Sequence, residues 1–422
     1  MARTLIRNLR IFDGTGADPF DGDVLIDGET FAAVGRGLAA DGADVVDGGG
    51  RFAIPGLIDC HVHVTLFGEE GLETYARMGV TTVKDLGGKF EAVMDVLGKS
   101  RRGELPGARV LAVGAFVEGD PPAFGERNPL SGNDVGMEVH RTEEEVRATL
   151  DRDLAAGVDG IKLYAGLPPG LVRCAIDHIG DRVPVTGHLT ATLASEAVAM
   201  GIGGLEHCQL TLYRDLATGE HQLGPDDRMA NPGYWPKVRR GWAAIDPAGD
   251  AAKRLVGAMA DAGTVMDPTL VLGGRTDLSF SAEEDAAFTA RQRERMAARA
   301  TGAQPPTPVE LEASATPMIR LIEAMHRAGV LVTPGTDCGA VGVPPGYGFH
   351  IELSLLAQAM PARDVLANAT SGAARWLRRD DLGTIAPGKR ADIVLLDADP
   401  LADIRNARRI SAVYMEGRPV PR

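Results

Sequence analysis

The chain has 422 residues, with 44 basic side chains against 58 acidic ones and a formal charge of −14. An acidic chain with no dense Lys/Arg run lacks the positive field on which nucleic-acid and anionic-membrane binders depend. At 44% apolar and 24% charged, the composition is that of a globular protein, which excludes disorder and collagen, and the length buries a large core.

The start, Met1 to Gly14, is too polar for a signal-peptide core, and no apolar run approaches the roughly 20 residues of a membrane span. Residues up to 54 read as short strands between Gly- and Asp-rich turns: Thr4 to Phe12, Gly22 to Asp27, Phe31 to Val34 and Asp44 to Phe52. From Pro55 the texture changes to short apolar runs spaced by helical patterns, as in parallel β/α units. The runs are Leu57 to Val64, Thr81 to Leu86, Arg109 to Phe116, Gly160 to Tyr164, Val183 to His188, Gly204 to Cys208, Thr264 to Leu272 and Leu331 to Asp337. Of the intervening helices the clearest is Glu143 to Ala156, opened by the capping pair Thr142 and Glu145 and closed by Gly157.

Eight such units imply an α/β protein, a (β/α)8 TIM barrel over 55–384. Helices are expected at Ile351 to Ala359 and Ala362 to Ala369. Strand texture returns at Asp392 to Asp397 and Ser411 to Val420. The tail strands, 385–422, are expected to join 1–54 in a small discontinuous β-sandwich. Two connections, Glu118 to His140 and Thr211 to Trp242, exceed the usual β/α loop length and are lid or specificity-loop candidates, or tolerated surface insertions.

In LIDCHVHV (Leu57 to Val64) alternation puts Asp59, His61 and His63 on one strand face, so two imidazoles point the same way, within reach of one transition metal. The pair sits near the C-terminal end of the first barrel strand, the rim where enzymes of this architecture keep their sites. Run five ends in His188, run six in Glu206, His207 and Cys208, and run eight in Asp337. Four histidines and an aspartate on one rim point to a metal centre. The four cysteines, Cys60, Cys174, Cys208 and Cys338, form no CxxC pair. Those beside proposed ligands alternate away from them, so small buried hydrophobes are expected, and a soluble cytoplasmic protein.

With those residues in place, the chain resembles the amidohydrolase superfamily, in its imidazolonepropionase-like and prolidase-like (Xaa-Pro dipeptidase) branch. The matching stretches are PGLIDCHVHV (Pro55 to Val64), GVDGIKLYAG (Gly157 to Gly166), TGHL (Thr186 to Leu189), EHC (Glu206 to Cys208), GTDCG (Gly335 to Gly339), ATSGAARWL (Ala369 to Leu377) and LGTIAPGKRADIVLLDADPL (Leu382 to Leu401). The resemblance implies two divalent metal ions. His61 and His63 would hold the more buried one and His188 and His207 the more exposed. Asp337 would contact the buried ion and the attacking water. Lys162 would bridge both ions as N6-carboxylysine, because an ammonium is all donor whereas a carbamate offers two anionic oxygens. Zinc is the first choice of metal; imidazole and carboxylate donors also accept Mn, Fe, Co or Ni.

Asp337 is then the catalytic acid/base, passing a proton from water to the leaving nitrogen. Tyr164, on the Lys162 face of its strand, is a catalytic or substrate-binding candidate or else a core tyrosine. His140 is a second catalytic candidate or an idle loop histidine. Tyr213, Arg239 and Arg240 are substrate-binding candidates in the sixth loop, where a cation grips a carboxylate, or solvated side chains. The implied activity is metal-dependent hydrolysis of a C–N bond in a small molecule, prolidase-like dipeptidase or N-acyl amino acid hydrolase first. An imidazolonepropionase-like cyclic-amide or other ring or ester hydrolase, and a non-catalytic barrel, are the alternatives. The partner is a small-molecule substrate; neither nucleic acid nor membrane is expected, and a homo-oligomer is left open.

Overall fold

Five strands open the chain: β1 (Arg3–Ile11), β2 (Phe20–Asp27), β3 (Thr30–Gly35), β4 (Asp44–Asp47) and β5 (Phe52–Pro55). In this computed structural model residues 3–123, 136–224, 227, 229, 231, 233–273, 281–299, 307–340 and 342–421 are described, the side chains of 297–299 excepted. The run Asp44 to Phe52, expected as one strand, is two. Gly49 (φ 62°) and Gly50 (φ 74°) turn the chain through left-handed backbone between β4 and β5.

Nine strands follow: β6 (Leu57–Val62), β7 (Val80–Asp85), β8 (Arg109–Ala112), β9 (Phe116–Gly119), β10 (Met137–His140), β11 (Ile161–Leu163), β12 (Val185–Gly187), β13 (Gly204–Glu206) and β14 (Val265–Asp267). They pair in parallel as β6-β7-β8 and as β10-β9-β11-β12-β13-β14. Single parallel bridges carry the pairing onward, from Val113 to Gly160, from Met266 to Val332 and from Val62 to Cys338. The pairing thus runs from β8 to β11, from β14 to the stretch around Val332, and from its end back to β6. This is a TIM-barrel-type α/β fold. The expected strand Arg109 to Phe116 is divided between β8 and β9. Leu331 to Asp337 lacks a regular ladder: Pro334 has no N–H, and Asp337 is left-handed (φ 55°). The stretch is still tied to β6, because Cys60 N donates to Pro334 O (3.0 Å) and Asp337 N to His61 O (2.7 Å).

Helix Glu143–Ala156 forms as its sequence predicts, with the reciprocal Thr142/Glu145 capping box at its start and left-handed Gly157 (φ 79°) at its end. The later helices are Tyr347–Leu356, starting four residues before the expected Ile351, and Ala362–Ala367, after which Asn368–Gly372 widens into a π-turn. The tail adds β15 (Ile393–Leu396), β16 (Ile410–Met415) and β17 (Arg418–Pro419). Glu416 (φ 50°) and Gly417 (φ 73°) make a turn inside the expected single strand Ser411 to Val420. β15 lies antiparallel to β5, so both chain ends share one sheet, ordered β17-β16-β15-β5-β1-β2-β3 with β4 on β1. Arg109 of β8 locks this sheet to the parallel strands: its guanidinium donates to Asp392 (3.0 Å), Glu416 (2.8 Å) and Thr82 (2.9 Å). Among the described residues no helix is long and apolar enough to cross a membrane.

Candidate metal centre

Asp59 fastens the end of β6 to the stretch that follows Pro334. Fully buried, it accepts hydrogen bonds from His61 N (3.1 Å), Thr336 N (3.1 Å), the Thr336 hydroxyl (2.7 Å) and the Tyr75 hydroxyl (3.2 Å). The chain then leaves β6, and His63 stands just before the short helix Val64–Phe67. Asp85, at the end of β7, accepts from Val64 N (2.8 Å) and Gly87 N (2.9 Å), and Gly87 O lies 2.9 Å from His63 Nδ1. This scaffold aims both imidazoles at Asp337: its Oδ1 is 3.1 Å from His63 Nε2 and 3.6 Å from His61 Nε2.

His188 and His207 complete the group. Ring centroids are 4.6 Å apart for His61 and His207, 4.4 Å for His188 and His207, and 5.5 Å for His61 and His63. His207 Nδ1 is 2.9 Å from the Thr269 hydroxyl. The amine of Lys162, on β11, is in ion-pair contact with Glu206. His207 (φ 57°), Thr269 (φ 45°) and Asp337 (φ 55°) are all left-handed, unusual for residues with a Cβ. At each of these strand ends the regular alternation of side chains is broken. Glu206 and His207 therefore both reach the interior, although adjacent residues of an undistorted strand face opposite ways.

Burial holds the imidazoles of His61, His188 and His207 well below the usual histidine range, with the Lys162 charge and neighbouring rings adding to it. Burial also lowers the Lys162 amine to about 7 against the opposing pull of Asp337 and Asp267. Asp267 is pushed well above the carboxylate range by burial, Glu352 and Asp59. Neutral imidazoles keep the lone pairs that bind metal.

Those donors fit a divalent cation. Neither ring nitrogen of buried His61 makes a hydrogen bond, nor does Glu206 beyond its ion pair with Lys162, and a buried polar atom left so costs about 1–3 kcal/mol. Among the described residues two groupings bring their ligand atoms within 4.8 Å of one another: His61, His63 and Asp337, and His61, Glu206 and His207.

Tyr164 joins the group: its ring meets His188 edge-on at 5.2 Å and stacks on Phe116 at 4.5 Å. The other candidates are engaged elsewhere. His140, at the end of β10, has Nδ1 3.2 Å from Glu118 O and Nε2 2.8 Å from the Thr149 hydroxyl, so both nitrogens serve the join between β10 and helix Glu143–Ala156. The buried Tyr213 hydroxyl donates to His221 O (2.8 Å) and its ring packs on Trp242. Arg239 and Arg240 lie on helix Tyr234–Ala244, which packs on helix Pro308–Arg327, and both act electrostatically on Glu310 there. All four cysteines are free and buried, matching their reading as small hydrophobes. Sequence reasoning missed Asp267 and Glu206 as parts of the group, and Glu352, which accepts from Leu270 N (3.0 Å) and Val271 N (2.7 Å) beside Thr269.

The amidohydrolase family model matches residues 52–420. An imidazolonepropionase of Cutibacterium acnes is 26% identical over 386 residues, covering 89% of this chain and 83% of that protein. The fold is similar to a solved putative prolidase from Bifidobacterium longum, with TM-score 0.72, 20% identity and coverage of 100% of this chain and 95% of that one. It is also similar to a prolidase complexed with N-methylphosphonate-L-proline, with TM-score 0.69, 21% identity and full coverage of both chains. The chain belongs to the amidohydrolase family, and it is a hydrolase acting on C–N bonds.

Proposed function

We propose that this amidohydrolase is a metal-dependent enzyme that hydrolyses an amide or peptide bond of a small molecule, as a prolidase-like dipeptidase or N-acyl amino acid hydrolase. The observation that carries the reading is the gathering of four imidazoles and the Lys162 amine from β6, β11, β12 and β13 and the segments that follow them, with the Asp337 carboxylate from the stretch bridged to β6. In this reading His61, His63 and Asp337 would hold one divalent ion, His188 and His207 a second, and carboxylated Lys162 would contribute to both; zinc is the first choice. Bound metal supplies a water ionised near neutral pH and a Lewis acid for the carbonyl.

The chain's own residues do the rest. Asp337, next to both β6 imidazoles, takes the proton of the attacking water and delivers it to the leaving nitrogen. Tyr164, edge-on to His188, offers its hydroxyl to the substrate's carbonyl oxygen or carboxylate. Carboxylation of Lys162 by carbon dioxide forms the N–C bond and releases a proton, so it needs an uncharged amine, which the depression to about 7 supports. It also replaces the positive partner of Glu206 by an anion, so it belongs with cations at the centre. The same reading assigns 55–384 to the hydrolase barrel and 1–54 with 385–422 to a β-sandwich. Four free cysteines accord with a cytoplasmic setting.

The test is to assay metal-loaded protein against Xaa-Pro and other dipeptides and N-acyl amino acids; no turnover across the panel rejects the subtype. Similarity to imidazolonepropionase favours a second reading, opening of a cyclic amide. One metal ion per chain together with ring-opening activity would select it.

A further inference from the structure

Two of the histidines have their Nδ1 held by a neighbour. His63 Nδ1 faces Gly87 O and His207 Nδ1 faces the Thr269 hydroxyl, each at 2.9 Å. His61 differs. Its Nδ1 is buried without a hydrogen bond and lies 3.3 Å from Asp267 Oδ2, and the other Asp267 oxygen is likewise buried without a hydrogen bond. The second carboxylate near that nitrogen, Glu206, stands farther off at 4.0 Å and is in contact with the Lys162 amine.

We propose that Asp267, the last residue of β14, is the positioning residue for His61. Its Oδ2, 3.3 Å from Nδ1, is placed to accept the Nδ1 hydrogen and so to fix the ring and its tautomer when a cation is held. The Nε2 lone pair is thereby directed to the side where Asp337 and His63 stand. The inference rests on the metal-centre reading of the site. A carboxylate behind a ligating imidazole holds the ring and raises its basicity, and removing such a group costs about 10–100-fold in metal affinity.

Gly335 gives independent support. A Cβ there would lie 2.3 Å from Asp267 Oδ2, 2.4 Å from Asp267 Oδ1 and 2.6 Å from the His61 Cβ, closer than real Cβ contacts allow. Gly335 is not among the residues with positive φ. The missing side chain therefore answers to the approach of Asp267 and His61 across it rather than to backbone conformation.

Zn2+ affinity, by competition with a chromophoric chelator, and the visible spectrum of the Co2+-substituted protein are compared for the full chain and for Asp267→Leu, Asp267→Asn and Gly335→Ala. Circular dichroism reports the fold of each. Asp267→Leu is expected to weaken binding of one ion by about 10–100-fold and to shift the Co2+ bands. Asp267→Asn, which keeps an acceptor oxygen, falls between it and the parent, and Gly335→Ala moves the same way. If Asp267→Leu does not fold, the other two variants decide. A parent that binds two ions, with variants matching it in affinity and spectrum, overturns the role of Asp267 alone. A parent that binds no ion overturns the metal-centre reading and this inference with it.

Discussion

Replacing Lys162 by Met tests the buried charge arrangement without reference to turnover. The amine and the Glu206 carboxylate are each about 1% exposed, in contact, and Glu206 has no hydrogen bond on either oxygen. Burial lowers the amine from its ordinary 10.5 to about 7, so in metal-free protein the folded state favours the uncharged form. That costs the parent about 4 kcal/mol at pH 7.5, at 1.36 per pH unit, and the cost fades as pH rises to 10.5. Lys162→Met removes this cost and leaves Glu206 without its partner. A stranded carboxylate escapes by taking up a proton, which from an ordinary acidity near 4.3 costs about 4 kcal/mol at pH 7.5 and about 1.6 kcal/mol at pH 5.5. The two nearly cancel at pH 7.5, so Lys162→Met should match the parent within about 1 kcal/mol in urea unfolding of chelator-treated protein and exceed it by about 3 kcal/mol at pH 5.5. Lys162→Met with Glu206→Leu should exceed the parent by about 4 kcal/mol at pH 7.5. A single variant that loses ground to the parent as pH falls, or a double variant no more stable than the single one at pH 7.5, refutes the reasoning.

Asp337→Asn should lower turnover by about 10²–10⁴-fold on whichever amide is hydrolysed, measured by amine release; activity within twofold of the parent removes it as the acid/base. Glu118, raised by burial to about 7 although it accepts three backbone hydrogen bonds, favours its neutral form when folded. Its contribution is full below about 4.5 and lost as pH rises through about 7. Glu118→Gln should accordingly gain about 3 kcal/mol relative to the parent between pH 4.5 and 8, and parallel stability curves would contradict this. Glu352→Leu strands the Leu270 and Val271 amides, a cost of about 1–3 kcal/mol each. It also loosens Thr269 behind His207, so denaturant stability and metal affinity should fall together, whereas unchanged affinity would confine Glu352 to the fold.

The sequence was legible where local periodicity survives folding. The apolar runs mark the parallel strands, and the ligand types at their ends mark the rim, so His61, His63, His188, His207 and Asp337 came from strand position and residue type alone. The irregularities escaped it. Leu331 to Asp337 reads as a strand but meets its neighbours through isolated bridges, because Pro334 and left-handed Asp337 interrupt the ladder. Glu206 escaped because a regular strand would turn it away from His207, and the positive φ of His207 breaks that alternation. Asp267 lay inside an apolar run, Thr264 to Leu272, that ends as a strand at Asp267 itself; an acid just before Pro268 was the available signal. His140, Tyr213, Arg239 and Arg240 were selected for loop position and chemistry. The bonds to Glu118 and His221 and the electrostatic pull on Glu310 depend on packing between distant segments, which no local pattern encodes.

The most direct measurement is an anomalous-scattering map of crystals of the metal-loaded protein, collected on both sides of the absorption edge of the bound metal. Two peaks are expected, one within bonding distance of His61 Nε2, His63 Nε2 and Asp337, the other beside His188 and His207, with additional density on the Lys162 amine between them. Peaks only at surface carboxylates, or none despite saturating metal, would contradict the account.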